Sequence, residues 1–458
     1  MIIMDELCYV YGTGAVIVAY FLASLISRRF DPFAPIWLFL VGYIHIYIIQ
    51  ATSYHDWAVG VRGKELVAAA NLRALWALLW FLMVYHLGLG KKLAALLPAP
   101  ARNWSVTTVS LVTPPLVIWG LFCAGVVLSS GAQDDSATMS GEESLFRSFP
   151  FVMLVAAILL IVTGRTINSS RPSFFAFGLL VAVAYVVIWM FNGKRSHSLM
   201  GVLATVCASY ISRLKRPSWP VLFVTGFLTM LVVAIAIGWR GNMKYERSFR
   251  GFTHFVGDFQ VSRILESLNM SDGEDDGEPK SYETTEYGGF LLMMDTVPEK
   301  SGYDHGENYI RIFSTFIPRL VWPGKPIYGR KYWINAWIAG SELEREDDFA
   351  GPAIGILGAG QLNGGAGGTL ILLACISLLL STAYEYFRRH QDIPWAQFWW
   401  SITFFNSWLM VVADDPFNWF YYNWGFTTFP FVVLMWWANK PGDSAPGTKV
   451  PAFARSPI

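Results

Sequence analysis

The chain has 458 residues, of which 54% are apolar, 16% aromatic and only 15% charged. Soluble globular chains carry about 25% charged residues, so this one lacks the polar surface that a water-soluble fold of its size needs. A net charge of +1 also excludes a nucleic-acid binder, which needs a basic face to meet phosphates.

Apolar runs of about 20 residues, long enough to cross a hydrocarbon layer as helices, recur along the chain. They predict spans at 7–26, 34–51, 66–87, 106–128, 151–162, 173–191, 199–211, 221–238, 369–386, 396–413 and 419–437. The first run has no basic leader and no A-x-A cleavage site, so it reads as a span rather than a signal peptide. The expected fold is an all-α polytopic membrane protein of about eleven transmembrane helices with one large outer loop. Its parts are an N-terminal bundle of about eight helices (1–238), an external region (239–365), about three C-terminal helices (366–440) and a cytoplasmic tail without a fold of its own (441–458).

Basic residues set the orientation. Fifteen of them fall on alternate connections: Arg28, Arg29, Lys91, Lys92, Arg102, Arg165, Arg171, Arg213, Lys215, Arg216, Arg388, Arg389, Lys440, Lys449 and Arg455. The short connections opposite hold five: Arg62, Lys64, Arg147, Lys194 and Arg195. This predicts an external N-terminus, a cytoplasmic C-terminus and an external loop at 239–365. Cys8, Cys123, Cys207 and Cys375 all sit in apolar runs, so no disulfide framework or cysteine metal site falls in that loop.

External cations oppose the topology signal and therefore invite explanation. FNGKRSHS, from Phe191 to Ser198, places Lys194, Arg195 and His197 in a very short outer turn. Snorkelling to lipid head groups is the plain reading. An anion site is the sharper one, because an arginine fork beside backbone N–H groups suits phosphate oxygens, and Gly193 allows close approach. The outer region opens with Arg240, Lys244, Arg247 and Arg250. FTHFVGDFQVSRILESLN follows, with Phe252, Phe255, Phe259, Ile264, Leu265 and Leu268 at near-helical spacing. It predicts an amphipathic helix, lying on the bilayer interface or packed on the bundle. SDGEDDGEPKSYETTE, from Ser271 to Glu286, reads as a flexible, solvated acidic excursion. Its spacing lacks the remaining ligands of a calcium loop, and SELEREDD (Ser341 to Asp348) has the same default.

Between the acidic runs, Asp304, His305, Glu307 and Asn308 precede Arg311, Arg319, Lys325, Arg330 and Lys331, interleaved with aromatics. Aromatic faces beside polar groups suit sugar rings, which makes Trp322, Tyr328 and Trp333 candidates for sugar contact; a membrane-interface belt is the alternative. Within this stretch FIPRLVWPGKP is too proline-rich for a regular helix or a central strand, so it presents Arg319 and Lys325 on a pre-set backbone. The glycine-rich run before the 369–386 span exceeds the length of one crossing and predicts a broken or re-entrant helix lining a cleft. Asp414 and Asp415 follow the penultimate span, to cap the next helix or to pair with an external arginine.

These features resemble the bacterial Wzy-type oligosaccharide repeat-unit (O-antigen) polymerases. The resemblance rests on the Gly-x-Arg at Gly193 and Arg195, the I-P-R-x-x-W-P-x-K-P run from Ile317 to Pro326, and the glycine-rich segment before a late helix. It implies a GT-C-like fold and transfer between polyprenyl-diphosphate-linked oligosaccharides at the outer face of the bacterial inner membrane. Related sequences often carry a glutamate in the glycine-rich stretch, where this chain reads Ile356-Leu357-Gly358-Ala359-Gly360-Gln361.

That reaction needs fixed cations around a departing diphosphate. Arg195, Arg240, Arg311 and Arg319 are the candidates, with Lys194 and Lys325 assisting. A base for the acceptor hydroxyl could be His305, Glu307, His197 or Asp414, and His305 is preferred because Asp304 and Glu307 flank it. No cofactor is implied, and no residues have convincing metal-ligand spacing. Expected partners are the lipid-linked oligosaccharide, membrane lipids, and the flippase and chain-length regulator of the same pathway, with no nucleic acid. The competing readings are an O-antigen ligase-like transferase with another acceptor, a lipid-linked sugar transporter, and a non-catalytic assembly subunit. Few charges fall inside the spans (Arg73, His86 and Glu385), which weighs against a transporter.

Overall fold

A computed structural model describes residues 6–129, 150–166, 171–240, 245–246, 248–259, 285–300, 302–306, 309, 322, 354–412 and 429–438. In chain order the helices are α1 (Glu6–Ile26), α2 (Pro35–Ser53), α3 (His55–Arg62), α4 (Lys64–His86), α5 (Leu89–Leu96), α6 (Val106–Ser129), α7 (Phe151–Arg165), α8 (Pro172–Phe191) and α9 (Arg195–Ile211). They continue with α10 (Trp219–Arg240), α11 (Phe249–Gly257), α12 (Glu286–Thr296), α13 (Gly355–Arg389), α14 (Pro394–Thr403), α15 (Asn406–Val412) and α16 (Phe429–Ala438).

The chain is a helical membrane protein. Among the described residues seven helices are long and apolar enough to cross a membrane: α1, α2, α4, α6, α8, α10 and α13. Their outward faces carry large apolar residues such as Leu22, Ile118, Phe122, Leu180, Phe223 and Phe227, as contact with lipid requires. Proline at the first helical position starts α2, α8 and α14, where its missing N–H costs nothing.

Two predicted spans look different in three dimensions. Helix α7 has only 15 residues and is buried from Phe151 to Gly164 except at Val152, packed against α6, α8, α9 and α14. It touches protein rather than lipid, so its length is not set by the bilayer. The predicted span 396–413 is two short helices, α14 and α15. At their junction the Asn406 amide donates to the carbonyls of Ile402 and Thr403, and the Ser407 hydroxyl donates to Phe404. Such side chains compete with the helical ladder.

Packing inside a bilayer has no water to expel, so close van der Waals fit carries it. A Cβ on Gly164 would overlap the backbone of Phe175, and one on Gly178 would lie 2.8 Å from Ile161, which lets α7 and α8 approach closely. Around this pair, Tyr185, Phe398, Trp400 and Phe405 form one core. Phe39, Tyr43, Tyr47, Phe81, Phe290 and Leu357 form a second, built by α2, α4, α12 and α13.

Basic residues gather at one end of the bundle. There Arg389 donates to the Lys91 carbonyl at 2.8 Å, Arg165 lies 3.8 Å over the Phe175 ring, and the Tyr384 hydroxyl donates to Asp31 at 2.5 Å.

The predicted external region, 239–365, returns to the bundle in three places. Helix α11 takes the packed alternative: Phe252 and Phe255 are buried against Trp239 while Thr253, His254 and Asp258 stay exposed. The second half of that predicted helix, from Arg263 to Leu268, lies outside the described residues. Helix α12 is buried along most of its length, with Tyr287, Phe290, Leu291 and Met293 in the core. The start of α13 is equally buried.

Helix α13 is broken, as the glycine-rich run predicts. Gly364 and Gly365 leave helical geometry, Gly365 with φ 62°. Residues eight or nine apart in a continuous helix lie about 12–13 Å apart along its axis. Here a Cβ on Gly360 would come within 2.7 Å of the Thr369 Cα, and one on Gly368 would overlap the Gly360 carbonyl oxygen. The chain therefore reverses into a hairpin whose two limbs meet through glycine.

Candidate functional site

Helix α8 ends in a glycine cap. Gly193, with φ 66°, donates to the Met190 carbonyl at 3.0 Å, and Lys194 donates to Trp189 at 3.0 Å. This pair of bonds is a Schellman closure, which demands a residue tolerant of left-handed geometry. Gly193 thus serves to turn the chain, and the turn sets Arg195 at the start of α9.

Arg195 faces Glu286. Its Nη2 lies 3.7 Å from Glu286 Oε1, with the arginine half exposed and the glutamate side chain nearly buried. Glu286 opens α12, whose N-cap Thr285 accepts from the Gly288 N–H at 3.1 Å. A carboxylate suits that first turn, where unpaired N–H groups and the helix dipole favour negative charge.

Behind Glu286 lies a π-helical turn, His45–Gln50, inside α2. Its i to i+5 pattern brings Gln50 back onto His45, with Nε2 to Nε2 at 3.2 Å. The same Gln50 amide donates to Glu286 Oε2 at 2.6 Å, and its oxygen accepts from the Tyr287 N–H at 3.0 Å. Both amide hydrogens and the carbonyl of this buried side chain are therefore used. The result is a fixed series: His45, Gln50, Glu286, Arg195. A solvated end for the acidic excursion is corrected at Glu286, whose surroundings are a buried amide and a guanidinium. Positions 271–284 lie outside the described residues.

Next to this series Tyr287 donates to Asn71 at 2.8 Å, and the Asn71 amide donates to the Glu6 carbonyl at 3.1 Å. Two residues further along α4, Arg73 donates to Gln361 Oε1 on the first limb of the α13 hairpin. Gln361 in turn donates to the Val297 carbonyl at 2.6 Å. The broken backbone is well satisfied: Asp304 N–H donates to Leu362, Gly306 N–H donates to Asn363 Oδ1, and the Asn363 amide donates to Ala359. Non-helical backbone at membrane depth requires such partners.

The sequence candidates fall as follows. Lys194 is half-buried at the N-cap of α9, and Arg195 meets Glu286. Arg240 closes α10; the Trp239 indole donates to the Phe191 carbonyl at 2.7 Å, which brings the end of α10 beside the Gly193 turn. His197 stacks on Trp189 at 4.1 Å between centroids, and burial, with Lys194 nearby, lowers its pKa. That weakens it as a proton acceptor. His305 is exposed with φ 49°, its ring 5.8 Å from that of Tyr303, and it sits on the loop that contacts the α13 hairpin. Its neighbour Asp304 is buried. Trp322 is exposed. Glu307, Arg311, Arg319, Lys325, Tyr328, Trp333 and Asp414 lie outside the described residues.

Three groups escape the sequence reading: His45, Gln50 and Glu286. The signal for the first two was a histidine and a glutamine inside an apolar run, and for the third a Thr-Glu pair immediately before one. Two more cations find a common partner, since Arg62 lies 2.9 Å and Lys300 3.7 Å from Asp295 on α12. Helix α12 thus supplies the acids for both Arg62 and Arg195. Chemically, a supported carboxylate beside a half-exposed guanidinium can accept a proton and hold an anion in one place. No family model, no curated protein and no solved structure matches this chain.

Proposed function

We propose that the protein is a glycosyltransferase that joins polyprenyl-diphosphate-linked oligosaccharide repeat units into a surface polysaccharide. In this reading the chain is a bacterial inner-membrane protein of about eleven spans, its N-terminus outside and its C-terminus in the cytoplasm. The supporting observation is the Arg195–Glu286 pair, held by Gln50 at the end of the bundle away from the basic cluster. The departing diphosphate takes Arg195, with Arg240, Arg311, Arg319, Lys194 and Lys325 adding positive charge, and the acceptor hydroxyl gives its proton to a carboxylate or histidine nearby. Glu286 joins His305, Glu307 and Asp414 as a candidate for that role. Trp322, Tyr328 and Trp333 supply sugar-stacking faces. No metal is assigned, since diphosphate is already a good leaving group.

Purified protein in nanodiscs, given lipid-linked repeat units alone, is expected to lengthen them. Growth only when a lipid A core acceptor is added would make it the ligase-like transferase. If Arg195→Ala and Arg319→Ala both left polymer length and yield unchanged, the enzymatic reading would fall to the assembly-subunit one.

A further inference from the structure

Arg73 sits on α4 just beyond Asn71, which holds the first residue of the described α1, Glu6. It therefore lies within a membrane-crossing helix, about one helical turn or less from the level at which α1 begins. Arginines near a helix end carry their charge to the interface, but this side chain is half-buried, and a half-buried guanidinium is costly unless paired. Among the described residues Arg73 has no carboxylate partner and one hydrogen-bond acceptor, the neutral Gln361. Arg62 and Arg195, on the same side, each have an acid. Gln361 cannot turn away to suit another group, because its amide is fixed to the Val297 carbonyl at 2.6 Å. One edge of the fork is thus anchored, while a guanidinium has five N–H donors to offer.

We propose that Arg73, positioned by Gln361, is a second anion site that takes the phosphate of a lipid head group. A phosphate ester carried on an acyl or prenyl chain reaches this level and supplies the negative charge that no described residue gives Arg73. A free phosphate ion would have to leave water to do so. The side chain is half-buried, so one face remains for such a ligand. On the proposed function, which needs two lipid-linked diphosphates at once, this site serves the partner of the substrate at Arg195. The binding claim stands apart from that role.

The test is native mass spectrometry of the full chain in phosphatidylcholine nanodiscs, titrated with farnesyl diphosphate, and separately in nanodiscs containing phosphatidylglycerol. Arg73→Gln is expected to weaken farnesyl diphosphate binding tenfold or more. Gln361→Glu is the companion: it gives Arg73 an internal carboxylate and should displace the ligand equally, with a lower thermal midpoint because the bond to the Val297 carbonyl is lost. A loss seen only for phosphatidylglycerol would keep the site and assign it to bulk lipid. If both variants bound both lipids as the parent does, Arg73 would be a structural clamp and the proposal would be overturned. Weakened binding in Arg73→Gln with polymer growth unchanged would retain the site and remove its role as the seat of the second substrate.

Discussion

At the end of the bundle where α4 and α13 finish, Arg389 rests on the Lys91 carbonyl, Arg165 on the Phe175 ring and the Ser209 carbonyl, and Arg388 meets only Glu385 on its own helix, with its side chain exposed. At the other end Arg195 and Arg62 meet side-chain carboxylates, and Arg73 meets an amide. Glu286 there is tied further back to Gln50 and Gln50 to His45, and Gln361 is tied to the Val297 carbonyl. A cation resting on a carbonyl holds a helix end in place. A cation facing a supported acid has a partner whose own position is fixed, which a site for chemistry requires. On the proposed function, that difference separates a membrane anchor from a site.

Substitutions can break that contrast. Glu286→Ala should have the largest effect: it strands the buried Gln50 amide, so the detergent-solubilised protein should lose about 2 kcal/mol, and polymer growth should fall about a hundredfold. Glu286→Gln would sharpen the result by keeping the shape, with activity lost and the thermal midpoint nearly restored. Gly368→Ala comes next, because its methyl would overlap the Gly360 carbonyl and force the α13 limbs apart; about 1–3 kcal/mol of stability should be lost, read as a lower midpoint. Arg195→Lys keeps the charge but not the fork, and an in vitro extension assay should show a roughly tenfold slower rate at unchanged stability. At the opposite end Arg388→Ala, which removes an exposed pair with Glu385 three residues away, should change stability by less than about 0.5 kcal/mol and leave activity alone. Comparable activity losses from Arg388→Ala and Arg195→Lys would erase the distinction between the two ends.

Much of the helical layout was legible because lipid imposes a length and a polarity on any chain that crosses it. The glycine break was equally legible, being a local demand on backbone, whereas Gly193 was read as room for a ligand and proves to cap a helix. Glu286 was not legible. It closes an acidic, polar run, and local composition predicts solvent for it. What removes it from solvent is Gln50, 236 residues earlier, and that contact exists only once α2 and α12 have packed. Arg73 was visible as an oddity, yet its partner lies 288 residues later on a limb that must first fold back.

The sequence by itself determined that the chain is a bundle of apolar helices and where its glycine-rich run must break. Those properties follow from spans of a few to some twenty residues, over which burial, charge and dihedral preference act locally. Only the tertiary structure decided which acid meets which arginine, that α7 is wrapped by protein, and that the α13 limbs touch. Those outcomes depend on groups hundreds of residues apart competing for one small volume, where fit and hydrogen-bond satisfaction choose the partner.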